Sequence, residues 1–133
     1  MPLREFIDFR RNQFLHGSAI SDSPHFDSEA LAYFDRALAD AKTYLEYGSG
    51  GSTLRAAKLS CRIVTVENDG IYLRAVKKRV GSRPHFTPIH TYIGPSAGWG
   101  IPVFDAKHGA LKKRLWSRYP LRPGNTSTPP TLR

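Results

Sequence analysis

Leu31, Phe34, Leu38 and Ala41 return at the three- and four-residue spacing of one helical face, with Glu29, Arg36 and Asp40 facing outward. Asp27 or Ser28, just ahead of this run, can place a side-chain oxygen on the free N–H groups of a first turn, so a helix should open there. Phe6, Ile7, Phe9, Phe14 and Leu15 give a looser helical pattern over 6–18 that should pack on the rest of the molecule. Thr43–Tyr47 is a short apolar run stopped by Gly48, Ser49, Gly50 and Gly51, a strand entering a turn. Residues 52–59 suit a helix with Leu54, Ala56, Ala57 and Leu59 inward and Arg55 and Lys58 in solvent. Arg62–Glu67, rich in β-branched residues, is the clearest strand. Asp69 can cap a helix over Gly70–Val80, and Lys77, Lys78 and Arg79 before Gly81 are ordinary helix-stop chemistry. Residues 85–93 read as a third strand, 94–102 as a loop and 107–119 as a basic helix containing Leu111, Leu115 and Trp116.

This order predicts an α/β fold: a three-layer, Rossmann-like partial parallel sheet of about three strands with flanking helices. Residues 1–119 form one incomplete nucleotide-binding domain in this reading. Residues 120–133, with four prolines and almost nothing apolar, form a tail expected to be disordered.

A chain of 133 residues, 40% hydrophobic, has material for one small core. Cys61 is the single cysteine, which excludes an intrachain disulfide and suits a small core filler. The first twenty residues mix charges with aromatics, giving no signal peptide or membrane span, and a cytoplasmic location is expected. The net charge of +9 is uneven: residues 1–61 hold 7 basic against 8 acidic side chains, and residues 62–133 hold 13 against 3. Such a distribution allows weak polyanion binding through Lys77–Arg79 and 112–114, so a basic nucleic-acid-binding protein is an alternative reading.

The candidate chemistry lies at Glu46-Tyr47-Gly48-Ser49-Gly50-Gly51-Ser52-Thr53, between a strand and a helix. Gly48 permits a sharp exit from the strand, and Gly50 lets a ligand approach the backbone. Ser52 and Thr53 open the next helix, where N–H groups can meet a ligand. Glu67 ends the second strand 17 residues after Gly50, where an acid can accept both ribose hydroxyl protons. No Lys precedes Ser52 or Thr53, which argues against a phosphate-binding Walker loop, and no Gly-x-Ser-x-Gly elbow occurs. His85 and His90, five apart on a strand, would face opposite sides, so no metal is expected. Trp99 could border a ligand pocket, but core packing is the favoured role.

The stretch resembles the first motif of class I S-adenosylmethionine-dependent methyltransferases, and motif order extends the likeness over roughly residues 25–119. The resemblance implies S-adenosylmethionine as cofactor, with Gly48, Ser49 and Gly50 at its amino-acid end, Glu67 on its ribose and Asn68 next to the adenine. Glu46 would be the acid at the strand tip, and Ser52 stands where the family has its third glycine. Such methyltransferases carry further strands after the third. This chain therefore resembles the first half of the fold, truncated, with an open sheet edge fit for self-association and an acceptor the residues do not define. A dinucleotide enzyme using NAD is a further alternative, although position 53 is Thr where the full glycine pattern needs Gly.

Overall fold

The computed structural model describes residues 2–59, 61–103 and 110–121. The elements run α1 (Leu3–His16), α2 (Ser28–Asp40), β1 (Thr43–Tyr47), α3 (Gly51–Ala56), β2 (Arg62–Glu67), α4 (Gly70–Val80), β3 (Phe86–His90) and α5 (Ala110–Leu121). The strands form one parallel sheet in the order β1-β2-β3, with Thr43 opposite Arg62 and Ile63 opposite Phe86. Two successive crossovers in one direction put α3 and α4 on the same face. The fold is the expected α/β arrangement of a parallel sheet with flanking helices.

Local chemistry sets the boundaries. Asp27 Oδ1 accepts from the Ala30 N–H at 2.8 Å and starts α2. Asp69 Oδ1 accepts from Ile71 N at 2.9 Å and Tyr72 N at 3.1 Å and starts α4. That helix ends at Gly81, whose N–H still donates to the Lys77 carbonyl and whose φ of +76° turns the following chain out of the helix. Helix α3 stops three residues earlier than its pattern suggests. Lys58 and Leu59 donate to carbonyls only three residues back, a tightened turn that brings the chain to β2 and leaves Leu59 exposed. Strand β3 is likewise shorter than residues 85–93, and Pro88 within it is tolerated because β3 is an edge strand of the described sheet. Helix α5 runs through Pro120 and Leu121, beyond the expected boundary at 119. Residues 122–133, the rest of the expected tail, lie outside the described residues.

The core lies on the α3/α4 face. Leu38, Leu54, Ala56, Ala57, Cys61, Ile63, Val76 and Val80 are buried together, with Phe34, Tyr44, Tyr72 and Phe86 packed around them. Phe26, Phe34 and Tyr44 stack edge to face at 5.4 and 5.6 Å, which seats α2 on β1. Leu45 and Tyr47, on the other face of β1, stay half exposed. No helix among the described residues is long and apolar enough to cross a membrane.

Helix α1 departs from expectation. Leu3, Ile7, Phe14 and Leu15 are exposed, Phe6 and Phe9 are partly buried, and its one buried residue is polar Gln13. Polar contacts also hold it: Arg10 and Gln13 donate to Asp69 Oδ2 at 2.7 and 3.0 Å. Burial opposes a charge on Asp69, but the Gln13 amide, the Tyr72 N–H, the Arg10 guanidinium and the Ile71 N–H outweigh it and hold the carboxyl below its ordinary 3.8. A depressed folded-state pKa stabilises the fold above the ordinary value, and this contribution is lost as pH falls through the lowered one. Thermal unfolding followed from pH 7 downward should therefore show Tm falling below about pH 4, with a smaller fall in Asp69→Asn. Identical pH profiles for the two proteins would contradict this assignment.

Candidate functional site

Glu46 lies inside the glycine turn, 7% exposed. Alternation along β1 turns it toward the helix-covered face. Its Oε1 accepts from the hydroxyls of Thr53 and Thr65. Its Oε2 accepts from Ser52 Oγ at 2.7 Å and Tyr44 OH at 3.0 Å. A carboxylate offers about four acceptor positions, so this one is saturated by four hydroxyls from β1, α3 and β2. Thr53 Oγ1 also accepts the Gly50 N–H at 2.9 Å, which passes the restraint up into the turn. Burial first, and the Glu46 charge second, push the Tyr44 phenol far above its ordinary pKa, so it remains a donor.

Above this base the chain leaves β1 at Gly48, with φ +87° and no atom within 4 Å of where a Cβ would stand. That position combines a turn only glycine adopts freely with open space over it. Glu67 reaches the turn from β2: its Oε2 accepts from both Ser49 N and Ser49 Oγ at 2.8 Å. Its Oε1 accepts from Asn68 N at 2.8 Å and Asp69 N at 2.9 Å. Three of these four donors are backbone N–H groups, and the fourth, the Ser49 hydroxyl, can rotate away without moving the chain. Oε2 is thus the position an incoming hydroxyl can take. Among the described residues Thr91 Oγ1 is buried without a hydrogen-bond partner, while its backbone N–H donates to the Glu67 carbonyl.

Two further segments border the turn. Asn68 gives its Nδ2 to the Gly100 carbonyl at 3.0 Å, so it anchors the loop of residues 94–102. Gly98 and Gly100 flank Trp99, which has φ +63° and is 86% exposed rather than packed in the core. A bulky residue in the left-handed region is uncommon, and here it carries the indole outward to an edge contact with His25 at 5.4 Å. Helix α5 crosses the C-terminal ends of the strands. Trp116 Nε1 donates to the Ile93 carbonyl and Tyr119 OH to the Val66 carbonyl, both at 3.0 Å, and the Tyr47 and Tyr119 rings meet at 5.5 Å. Burial, then Glu67, pushes the Tyr119 phenol up to about 12.

These elements define a Rossmann-like unit with its glycine turn and its acid at the carboxyl end of a parallel sheet. Among solved structures, a methyltransferase-like protein from Silicibacter pomeroyi DSS-3 is similar, at 33% identity and a TM-score of 0.65. The similarity covers 77% of this chain and 54% of that one, so the chain spans about half the length of that neighbour. Comparisons with protein-family models and with curated proteins find no match. The fold is methyltransferase-like.

The structure brings the expected site residues into two hydrogen-bonded sets beside Gly48, Glu46 with Gly50, Ser52 and Thr53 and Glu67 with Ser49, and directs the Asn68 side chain to the neighbouring loop. Tyr44 and Thr65, which complete the Glu46 cage, carry no motif signal, although both lie at strand positions facing Glu46. Gly51 belongs to the motif, but its packing role carries no sequence signal. A Cβ there would stand 2.2 Å from the Ser23 carbonyl oxygen, so glycine lets the 20–26 connector lie on the turn. At Gly50 the nearest atom would be Tyr72 Oη at an ordinary 3.4 Å. Gly51→Ala should therefore destabilise the protein by about 1–3 kcal/mol in denaturant unfolding, and Gly50→Ala by less. Equal effects would contradict the close packing at Gly51.

Proposed function

We propose that the chain binds S-adenosylmethionine across the glycine turn as the cofactor-binding part of a methyltransferase, carried by residues 1–119. The observation that carries this reading is the Glu67 carboxylate from β2 meeting Ser49 of the β1 turn at 2.8 Å, beside the open space over Gly48. Ribose hydroxyls would take Oε2 of Glu67 in place of the Ser49 hydroxyl. The amino-acid end would lie over Gly48, Ser49 and Gly50, and the adenine beside Asn68. Glu46, Ser52 and Thr53 would act from beneath, holding the turn in shape. Bound here, the sulfonium would present an electrophilic methyl group, and the protein's share of the chemistry would be alignment of an acceptor.

The described sheet has strands on only one side of β1. Ligands of open α/β sheets lie at the point where strand order reverses, which needs a strand on each side of the first. The 133-residue chain by itself should therefore bind weakly and transfer no methyl group.

S-adenosylhomocysteine should raise Tm in a thermal-shift titration, and NAD should not. Glu67→Gln keeps the side-chain size and should weaken S-adenosylhomocysteine binding by about 1–3 kcal/mol. Ser49→Ala should change it by less than about 1 kcal/mol, since the hydroxyl would be displaced on binding. Stabilisation by NAD alone would overturn the proposal. An unchanged affinity in Glu67→Gln would remove Glu67 from the ribose role.

A further inference from the structure

Charge in the sheet region is sorted by height. Between residues 43 and 103 the acidic residues are Glu46, Glu67 and Asp69, all buried at the carboxyl ends of the strands or just past them. The cations gather at the opposite end. In a parallel β-α-β unit each helix runs back against the strands, so the ends of α3 and α4 lie where β2 and β3 begin. Lys58 follows α3, and Lys77 and Lys78 sit in the last turn of α4. Lys42 and Arg62 are side by side at the strand starts, with Arg62 N donating to the Lys42 carbonyl at 3.0 Å. His85 is next in the row, its carbonyl accepting from Ile63 N at 2.7 Å. Arg83 stands just before it.

Helix-end chemistry accounts for part of this pattern, since a cation near each C-terminus complements the helix dipole. It does not account for Lys42 or Arg62, which belong to strand entries, whereas Arg83 donates its Nε–H to the carbonyl of Val80, the last residue of α4, at 3.3 Å. Among the described residues the ion pairs are Arg10–Asp69, Arg55–Asp35 and Arg79–Asp22. Lys42, Lys58, Arg62, Lys77, Lys78 and Arg83 enter none of them, and the acid nearest in sequence to this end is Asp40. Six like charges on one end repel one another and favour an external counter-charge.

We propose that this end of the sheet, remote from the glycine turn, is a binding face for the phosphate backbone of nucleic acid. Nucleic acid is favoured over an anionic membrane because the face offers planar guanidinium groups suited to phosphate and little to insert. Among the described residues Leu59 is its one exposed large apolar side chain, whereas membrane-surface binding needs an apolar face beside the cations. The contacts read no base, so binding is blind to sequence and tethers the protein along the backbone. The inference is independent of the cofactor reading, since the two sites lie at opposite ends of the strands.

The test is fluorescence anisotropy of a labelled 20-base-pair DNA duplex with the full 133-residue chain over a NaCl series. With about four phosphates engaged, affinity should fall on the order of a hundredfold between 50 and 200 mM salt. Lys42→Ala/Lys58→Ala and Lys77→Ala/Lys78→Ala change exposed side chains, so folding should be unaffected, which circular dichroism checks. Each pair should lower the log–log salt slope by about two. The S-adenosylhomocysteine thermal shift should be the same in both variants and wild type. No binding at 50 mM salt, or slopes unchanged in both variants, would overturn the proposal. Sedimentation with vesicles containing anionic lipid, without DNA binding, would overturn it in favour of a membrane surface.

Discussion

The carboxylate of Glu46 is the interaction on which the upper half of the molecule depends. A buried carboxylate without partners is costly, and here no cation offsets it. Four hydroxyls do so instead, and they come from three elements: Tyr44 on β1, Ser52 and Thr53 on α3, and Thr65 on β2. The strand, the helix and the neighbouring strand must all be in place for the charge to be solvated. Satisfying it therefore fixes where α3 begins, and through Thr53 it fixes Gly50 as well. Leaving hydroxyls rather than an arginine around the acid keeps the turn compact and the space above Gly48 free of bulky side chains.

Much of the fold was legible because local rules and tertiary needs agreed. β1, β2 and α4 run as their apolar patterns and caps dictate, since Asp69 and Gly81 bound α4 by short-range hydrogen bonds alone. Where local pattern and tertiary geometry part company, the pattern fails. Ile7, Phe14 and Leu15 suggest a packed face, yet they are exposed, and Arg10 and Gln13 tie α1 to an acid fifty-nine residues away from Arg10. Trp99 suggests core, yet two flanking glycines turn it outward. The candidate site was legible as a motif but not as a network. The glycine turn and Glu67 have fixed spacing, while Gly51 is required by a connector, and Tyr119 reaches the strand ends from 53 residues beyond Val66.

The polarity of charge along the strands has a simple origin in topology. Helices that return against parallel strands place their C-terminal ends, which favour cations, where the strands begin. The acids then collect at the other end, where strand tips meet helix N-termini and donors are plentiful: Glu67 takes two backbone N–H groups from its own chain exit, and Asp69 takes two from α4. A fold of this handedness thus separates an acid-lined mouth from a basic base in part through ordinary capping preferences, to which Lys42 and Arg62 add charge at the strand entries.

Asp69 serves two masters through different atoms. Its backbone N–H holds Glu67 Oε1, while its side chain both caps α4 and grips α1 through Arg10 and Gln13. The N-terminal helix and the acid at the mouth are therefore thermodynamically linked through a single residue. Whatever loosens α1 also frees the Asp69 peptide group to reorient, and Glu67 then loses one of the anchors that set its height. By the same reciprocity, a ligand that fixed Glu67 would draw α1 more firmly onto Asp69, so α1 would report on events at the neighbouring acid.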